Sequence, residues 1–414
     1  MKSPLRFTIL AVSVLLVTLA QLPSTVTSQR SKLPRVQKTP DKNQPSVEAL
    51  EKLRKLAAKQ KTYQVGYNPA MERKLTQLSG IEIPRGTVRQ ALKVRQEAQQ
   101  KLAESIRRRE EYLKANPDKV FDSIDVYELL RRDLQKRHPG QQIPTTPQGL
   151  IRLLPAFNWR AQNLYTPVKN QGDCNSCWAF AALAAYEFSY HIQSSRIMGA
   201  RGGHNQQLPS GEIIPGLSMV SAGNSTLIFS EQKMINCTGK ENSCGGGWHG
   251  SAFNHLIKYG APFPNVEGNV IKRDYKGKDG ACNGLEVNKD FQALTWDYVN
   301  YPPDKIPTEM QLKTALLEHG PLAVLVRITE AFQAYQGGVF NEHAPGEINH
   351  AVVLLGWDDT KRAWLIQNSW GEEWGVKIKP GLSNAETGGF MWIAWDSNSI
   401  GKYAAWVDAA IDYR

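Results

Sequence analysis

The chain has 414 residues, enough for two or three packed units rather than one. Its 50 Lys+Arg outnumber 39 Asp+Glu, but the excess is local: residues 30–150 hold 26 basic against 14 acidic side chains, and residues 151–414 hold 22 against 25. Opposite signs on two segments favour their docking on each other and speak against nucleic-acid binding.

Lys2 and Arg6 precede an apolar run at 7–20, and the small residues Ser24, Thr27 and Ser28 follow it. The run falls short of the roughly 20 residues a membrane span needs. A basic start, a short apolar core and small residues form a removable export signal over 1–28, rather than a buried core helix. No other run could span a membrane. The expectation is an exported protein, extracellular, periplasmic or in an acidic lumen, without stable membrane insertion.

Residues 30–46, with Pro34, Pro40 and Pro45, read as a flexible linker. A helical pattern runs from 47 to about 60. Gly66, Pro69, Gly80 and Pro84 then break residues 62–84 into short pieces. The spacing predicts a long charged helix over 87–115, with N-cap chemistry at Thr87, a stop before Pro117 and a solvated face for most of its charges. A shorter helix at 126–136 ends at Pro139-Gly140, and residues 140–150 read as a second linker. This linker separates a basic, helix-rich region, 29–150, from the main body, 151–414.

Within the body, residues 177 to about 193 form an apolar, Ala-rich helix pattern that begins at a cysteine. From Leu294 onward come short β-rich runs at 322–328, 351–356, 363–367 and 389–395, separated by Gly, Asp and Asn turn signals. A helix-rich half followed by a strand-rich half predicts two lobes with a cleft between them.

The five cysteines, Cys174, Cys177, Cys237, Cys244 and Cys282, all lie in the body. Export implies oxidising surroundings, and an odd number leaves one thiol over. Two bridges and one reactive cysteine is the simplest accounting. Residues 168–180 (Val-Lys-Asn-Gln-Gly-Asp-Cys-Asn-Ser-Cys-Trp-Ala-Phe) place the Cys177 thiol at the first turn of a helix. There the backbone N–H groups and helix dipole favour the reactive thiolate. Gln171 can supply an amide that joins the Cys177 N–H in holding an oxyanion. A thioredoxin-like redox pair lacks its βαβ surroundings, and structural zinc lacks its paired histidines.

Of eight histidines, His350 directly precedes the apolar run 351–355, which fixes a general base at the mouth of a strand. Asn368, in Gln-Asn-Ser-Trp-Gly at 367–371, can accept the ring N–H, with Trp370 beside it to exclude water. For the other histidines, His191 and His319 among them, a surface or core role is expected.

These blocks resemble the papain family of cysteine peptidases, from about Leu154 to Ala394. The resemblance also covers Asn158-Trp159-Arg160, Ser230-Glu231-Gln232, Cys244-Gly245-Gly246-Gly247, Gly320-Pro321 and Tyr335-Gln336-Gly337-Gly338-Val339-Phe340. It implies an α+β, two-lobed papain-like fold, a helical lobe and a β-barrel-like lobe, behind a largely helical N-terminal region. By position, Gln171, Cys177, His350 and Asn368 match the family's catalytic residues. Gly246 and Gly247 match the backbone that pairs with substrate. Trp248, His249, Leu325 and Ala351 fall where the family lines the pocket for the second residue before the cut. The pairs Cys174–Cys244 and Cys237–Cys282 match the family's bridges.

Two departures stand out. Cys177 and Cys237 are 60 residues apart, and the excess is the Gly/Ser/Asn-rich stretch 196–225, expected to be a mobile surface insertion. The N-terminal third matches a family propeptide in position and charge but lacks the common motif. Asn224 and Asn236 stand in glycosylation sequons, the second containing Cys237.

The expected function is a secreted, monomeric cysteine endopeptidase, made as a zymogen, that acts on proteins or peptides without cofactor or metal. A ligase or exopeptidase on the same scaffold, and a catalytically dead binding protein, are the alternatives. No extra His-bearing loop would close one end of the cleft, and all four catalytic positions are present. For control, the basic segment is expected to inhibit its own body, with the linker 140–150 lying across Cys177. Acid and salt would loosen it, and a cut between about 140 and 156 would free the mature enzyme.

Overall fold

Helix α1 (Val47–Gln60), strand β1 (Tyr63–Val65), the single turn α2 (Leu75–Leu78) and the long helix α3 (Thr87–Ala115) open the described chain. This computed structural model describes residues 47–116, 126–162, 166–198, 229–262, 275–283, 287–379 and 386–410, with short strand pieces between 206 and 271. All fall in one unit, Lys42–Arg414. The export signal, the linker 30–46 and most of the stretch 196–225, with Asn224, lie outside the described residues.

Helix α3 is built from strong helix formers and ends at Asn116, ahead of Pro117. Its start differs from the sequence expectation. Gly86, at φ +82, makes the turn as N-cap, a left-handed conformation that suits glycine. Thr87 already lies in the helix, and its hydroxyl donates to the Pro84 carbonyl.

Helix α4 (Val126–Arg137) follows, and then comes a correction. The expected linker 140–150 contains most of a short helix, α5 (Pro147–Arg152). Thr146 caps it by accepting from the Gly149 amide, and proline suits its first position. Leu134, Ile143 and Leu150 pack into a small cluster of their own. Apolar side chains spaced among polar ones decided this segment, against its Pro and Gly content.

The body's first lobe is centred on α6 (Cys177–Met198), whose residues 177–189 are all buried, as those of a core helix must be. Helices α7 (Glu231–Cys237) and α8 (His249–Tyr259) pack around it. Lys169, mostly covered, sits between the buried carboxylates of Glu187 of α6, 2.8 Å away, and Glu231 of α7, which match its charge.

The strands of the large sheet are β2 (Ala156–Asn158), β7 (Ala293–Tyr298), β8 (Leu322–Val326), β9 (Tyr335–Phe340), β10 (His350–Asp358), β11 (Ala363–Gln367), β12 (Val376–Ile378), β13 (Thr387–Ala394) and β14 (Lys402–Ala409), with β1 joining them. The short strands β3 to β6 lie at 206–207, 213–214, 266–267 and 270–271, β3 pairing with β4 and β5 with β6. The sheet order is β1-β9-β13-β11-β10-β8-β14-β7, with β12 on β13 and β2 on β10. All nine residues of β10 are buried, which makes it the rigid centre of this lobe. Helices α9 (Glu309–His319) and α10 (Glu330–Gln333) complete it.

The N-terminal elements dock on this body at several points. β1 pairs antiparallel with β9. Arg95 of α3 reaches Asp297 and the Tyr298 carbonyl of β7 at 2.9 and 3.0 Å. α5 packs on α9. Among the described residues no helix is long and apolar enough to cross a membrane.

Candidate active site

Cys177 is the first residue of α6 and is fully buried. The loop ahead of it is held by the Cys174–Cys244 disulfide, and a second disulfide joins Cys237 and Cys282. Among the cysteines Cys177 alone is free. Its sulfur lies within reach of the backbone of Ala351, the residue after His350, so the helix start and the head of β10 meet.

His350 is also fully buried, and its Nε2 lies 2.8 Å from Asn368 Oδ1. The Ser369 amide donates to the same Oδ1, at 2.8 Å. An atom that accepts from a backbone N–H is an oxygen, so His350 Nε2 must carry the proton. The tautomer follows: Nδ1 keeps its lone pair, and it makes no hydrogen bond of normal geometry to the protein. Trp370 packs beside the ring at 5.0 Å and is itself buried against Phe332 and Trp374.

Gln171 is fully buried, with its side-chain oxygen fixed by the Ser369 hydroxyl at 2.7 Å. One amide N–H goes to the Cys174 carbonyl at 3.0 Å, and the second is left for another acceptor. Sequence reading passed over Ser369, although it sits inside the block that supplied Asn368. A serine hydroxyl in a loop carries no sign of where it points.

The residues expected to line a substrate pocket fall in two pairs, Leu325 with Ala351 on the sheet and Trp248 with His249 at the start of α8. Ala351 and Leu325 are register partners on β10 and β8. Trp248 caps the start of α8 and packs edge-on to Tyr403 at 5.2 Å. His249 is fully buried among Trp248, Phe253 and Tyr298, and burial pushes its ring down to about 3.

The segment across the site is not the one expected. Residues 78–82 occupy the cleft, not 140–150. Gly80 and Glu82 pair with Gly247: the Gly247 amide donates to Gly80 O at 2.9 Å, and the Glu82 amide to Gly247 O at 3.0 Å. Ile81 and Gly247 run parallel. The Gly80 amide donates to Asn349 O, beside His350. A Cβ on Gly80 would lie 2.1 Å from Asn175 O, so only glycine permits this approach. Residues 140–150 instead spend their apolar side chains on α5 and its own cluster.

This covering sets the protonation states. A helix N-terminus favours thiolate, but burial outweighs it and pushes the Cys177 thiol up to about 12. Burial likewise pushes His350 down to about 4, against the opposing Asn368 bond and the Leu78 backbone. Under Gly80 the pair is therefore a neutral thiol and a neutral imidazole.

The structure thus brings together a free cysteine at a helix start, a strand-borne histidine of defined tautomer and an asparagine hydrogen-bonded to it, the arrangement expected from the sequence. The sequence matches the papain family cysteine protease over residues 154–200 and 212–381, more than half its length. The chain belongs to that family. It is 33% identical to cathepsin J of Rattus norvegicus over 258 residues, covering 59% of this chain and 62% of the relative. It is 30% identical to a cysteine proteinase of Trypanosoma brucei brucei over 294 residues, 65% of this chain and 55% of the relative. The matches thus span about three fifths of those relatives. Digestive procathepsin L2 from Tenebrio molitor larval midgut has the same fold, with a TM-score of 0.52 and 21% identity over 87% of this chain and 89% of that one. The proform of the ragweed pollen allergen Amb a 11, a cysteine protease, gives 0.50 and 19% over 88% and 87%. In both, the likeness includes the region ahead of the body.

Proposed function

We propose that the chain is the precursor of an exported papain-like cysteine endopeptidase, a monomer that hydrolyses protein or peptide substrates through an acyl-enzyme. The observation that carries this reading is the free Cys177 beside Ala351, next to a histidine whose Nδ1 is unprotonated.

The thiol proton passes to His350 Nδ1, and the sulfur attacks the peptide carbonyl carbon. The carbonyl oxygen takes the negative charge, received by the second Gln171 N–H and the Cys177 N–H. As the oxyanion collapses, the C–N bond breaks and His350 gives its proton to the leaving amine. A water then loses its proton to His350 and attacks the thioester, which releases the acid and restores the thiol. Asn368 keeps the ring in place through both steps. Gly246 and Gly247 pair with the substrate backbone, and Trp248, His249, Leu325 and Ala351 line the pocket for the second residue before the cut. The chemistry calls for no cofactor.

In this reading residues 1–28 are the export signal, 29–150 a propeptide and 151–414 the peptidase. The propeptide inhibits through residues 78–82, whose parallel course along Gly247 is the reverse of a substrate's. Maturation removes it by cutting ahead of β2.

The test is the full-length protein incubated at acidic and neutral pH, with a fluorogenic peptide assay and mass spectrometry of the fragments. Activity should appear with loss of the N-terminal segment. Cys177→Ala should show none, with thermal unfolding unchanged because this thiol is in neither bridge. Activity retained by Cys177→Ala, still blocked by an irreversible thiol reagent, would move the nucleophile elsewhere.

A further inference from the structure

Tyr275 lies in the loop 275–283, outside the residues given a role above. Its hydroxyl nonetheless meets the loop 171–176 at two points: it donates to the Gln171 carbonyl at 2.5 Å and lies 2.9 Å from the Ser176 hydroxyl. A phenol has one proton. With that proton on Gln171, Ser176 is the donor to Tyr275, a shorter contact than its alternative to the Cys174 carbonyl at 3.3 Å. These contacts fall at the two ends of the loop. Gln171 carries the side-chain amide, and Ser176 directly precedes Cys177, whose N–H is the other donor. The Tyr275 ring packs edge-on to Phe180 of α6 at 5.0 Å, and burial holds the phenol protonated.

Tyr275 is itself anchored. Gln232 of α7 accepts from the Lys276 amide at 2.7 Å and donates to Lys278 O at 2.8 Å. Asp279 accepts from the Cys244 amide at 2.7 Å, and Cys282 is bridged to Cys237. From the other lobe, Ser369 O accepts the Gln171 amide at 2.8 Å and the Ser369 hydroxyl fixes its side chain. Gln171 is thus held from the strand lobe by Ser369 and from the helical lobe by Tyr275.

We propose that Tyr275 is a positioning residue for the oxyanion hole: its hydroxyl sets the spacing between the Gln171 amide and the Cys177 N–H. It acts through those two donors and touches no substrate. The inference rests on the cysteine peptidase reading. Donors must be held in place before charge develops, since a misplacement of about 1 Å costs up to about 10²-fold in rate.

The experiment compares full-length wild type and Tyr275→Phe after the same acid activation, with active thiols counted by a thiol-directed epoxide. Each is assayed on a peptide amide and in alkylation by iodoacetamide, which forms no oxyanion and reports the thiolate alone. Tyr275→Phe should lower kcat per titrated site about tenfold, with KM, the pH profile and the alkylation rate unchanged. Equal kcat per site overturns the proposal even if the variant melts at a lower temperature. A parallel fall in alkylation overturns it too, because the loss then lies in the Cys177–His350 pair. Should Tyr275→Phe give too few titratable sites, Ser176→Ala removes the hydroxyl's other partner and must show the same split. A wild type with no peptidase activity sinks the peptidase reading, and this proposal falls with it; an active wild type isolates the question of Tyr275.

Discussion

At the residue scale, one shared oxygen decides what His350 can do. Asn368 Oδ1 accepts from both the Ser369 amide and His350 Nε2, which leaves Nδ1 as the only nitrogen able to take a proton. Removing the amide frees the ring to rotate and to change tautomer. Asn368→Ala should therefore lower kcat/KM on the order of 10²-fold, the scale of losing orientation rather than the base itself. Stopped-time assays on the activated protein, normalised to titrated thiol, check this. An unchanged kcat/KM would mean that packing by Trp370 alone holds the ring.

At the scale of elements, the N-terminal segment is fastened mainly by backbone and amide contacts. β1 adds to β9, Asn68 Nδ2 donates to Gln333 O at 2.9 Å, and Gln333 Nε2 donates back to the Ala70 and Arg73 carbonyls at 2.6 and 2.9 Å. The pairs Lys93–Glu97, Arg107–Glu111 and Arg108–Glu104 lie within α3 and are exposed, where they contribute little. Among the described residues, the ion pairs from this segment to the body are Arg73–Asp173 and Arg95–Asp297. Burial holds the Asp297 carboxyl above the usual range in spite of Arg95, so this pair gives specificity more than strength. Arg95→Ala leaves the buried Asp297 without its counter-ion and weakens the docking of α3. The expected outcome is earlier activation at neutral pH and faster protease cutting in α3. A time course identical to wild type would show that β1 and the Gly80 crossing alone hold the segment.

For the whole molecule, buried histidines tie stability to pH. Burial pushes His249 down to about 3, and His255 and His350 to about 4. An unfolded histidine titrates near 6.5. Between roughly 6.5 and 4 the unfolded chain thus binds more protons than the folded one, and stability falls as pH falls, by about 1.4 kcal/mol per pH unit for each such ring. For His350 the lowered value belongs to the covered site, so the same linkage favours uncovering as pH drops through this window. Thermal unfolding from pH 7 to 4 should show the decline. His249→Phe should make it shallower, and an unaltered slope would place the acid sensitivity in other groups.

Much of this molecule could be read from the chain alone, because the informative features are local. A cysteine at a helix start, a histidine heading an apolar run, an asparagine before Ser-Trp-Gly and an odd cysteine count each depend on a few neighbouring residues. So do the helix α3 and the strands β8, β10, β11 and β13, whose periods and breakers lie within their own segments. The tertiary structure decided what depends on remote partners. Gly80 reads as one breaker among several until Asn175 O is found 2.1 Å from where its Cβ would stand. Residues 140–150 read as a spacer until Leu134, Ile143 and Leu150 meet. The His350 tautomer follows from an amide 19 residues away, and the hold on Gln171 from a phenol 104 residues away. Chain-local preferences act over a few residues, whereas these contacts exist only once distant segments have closed on one another.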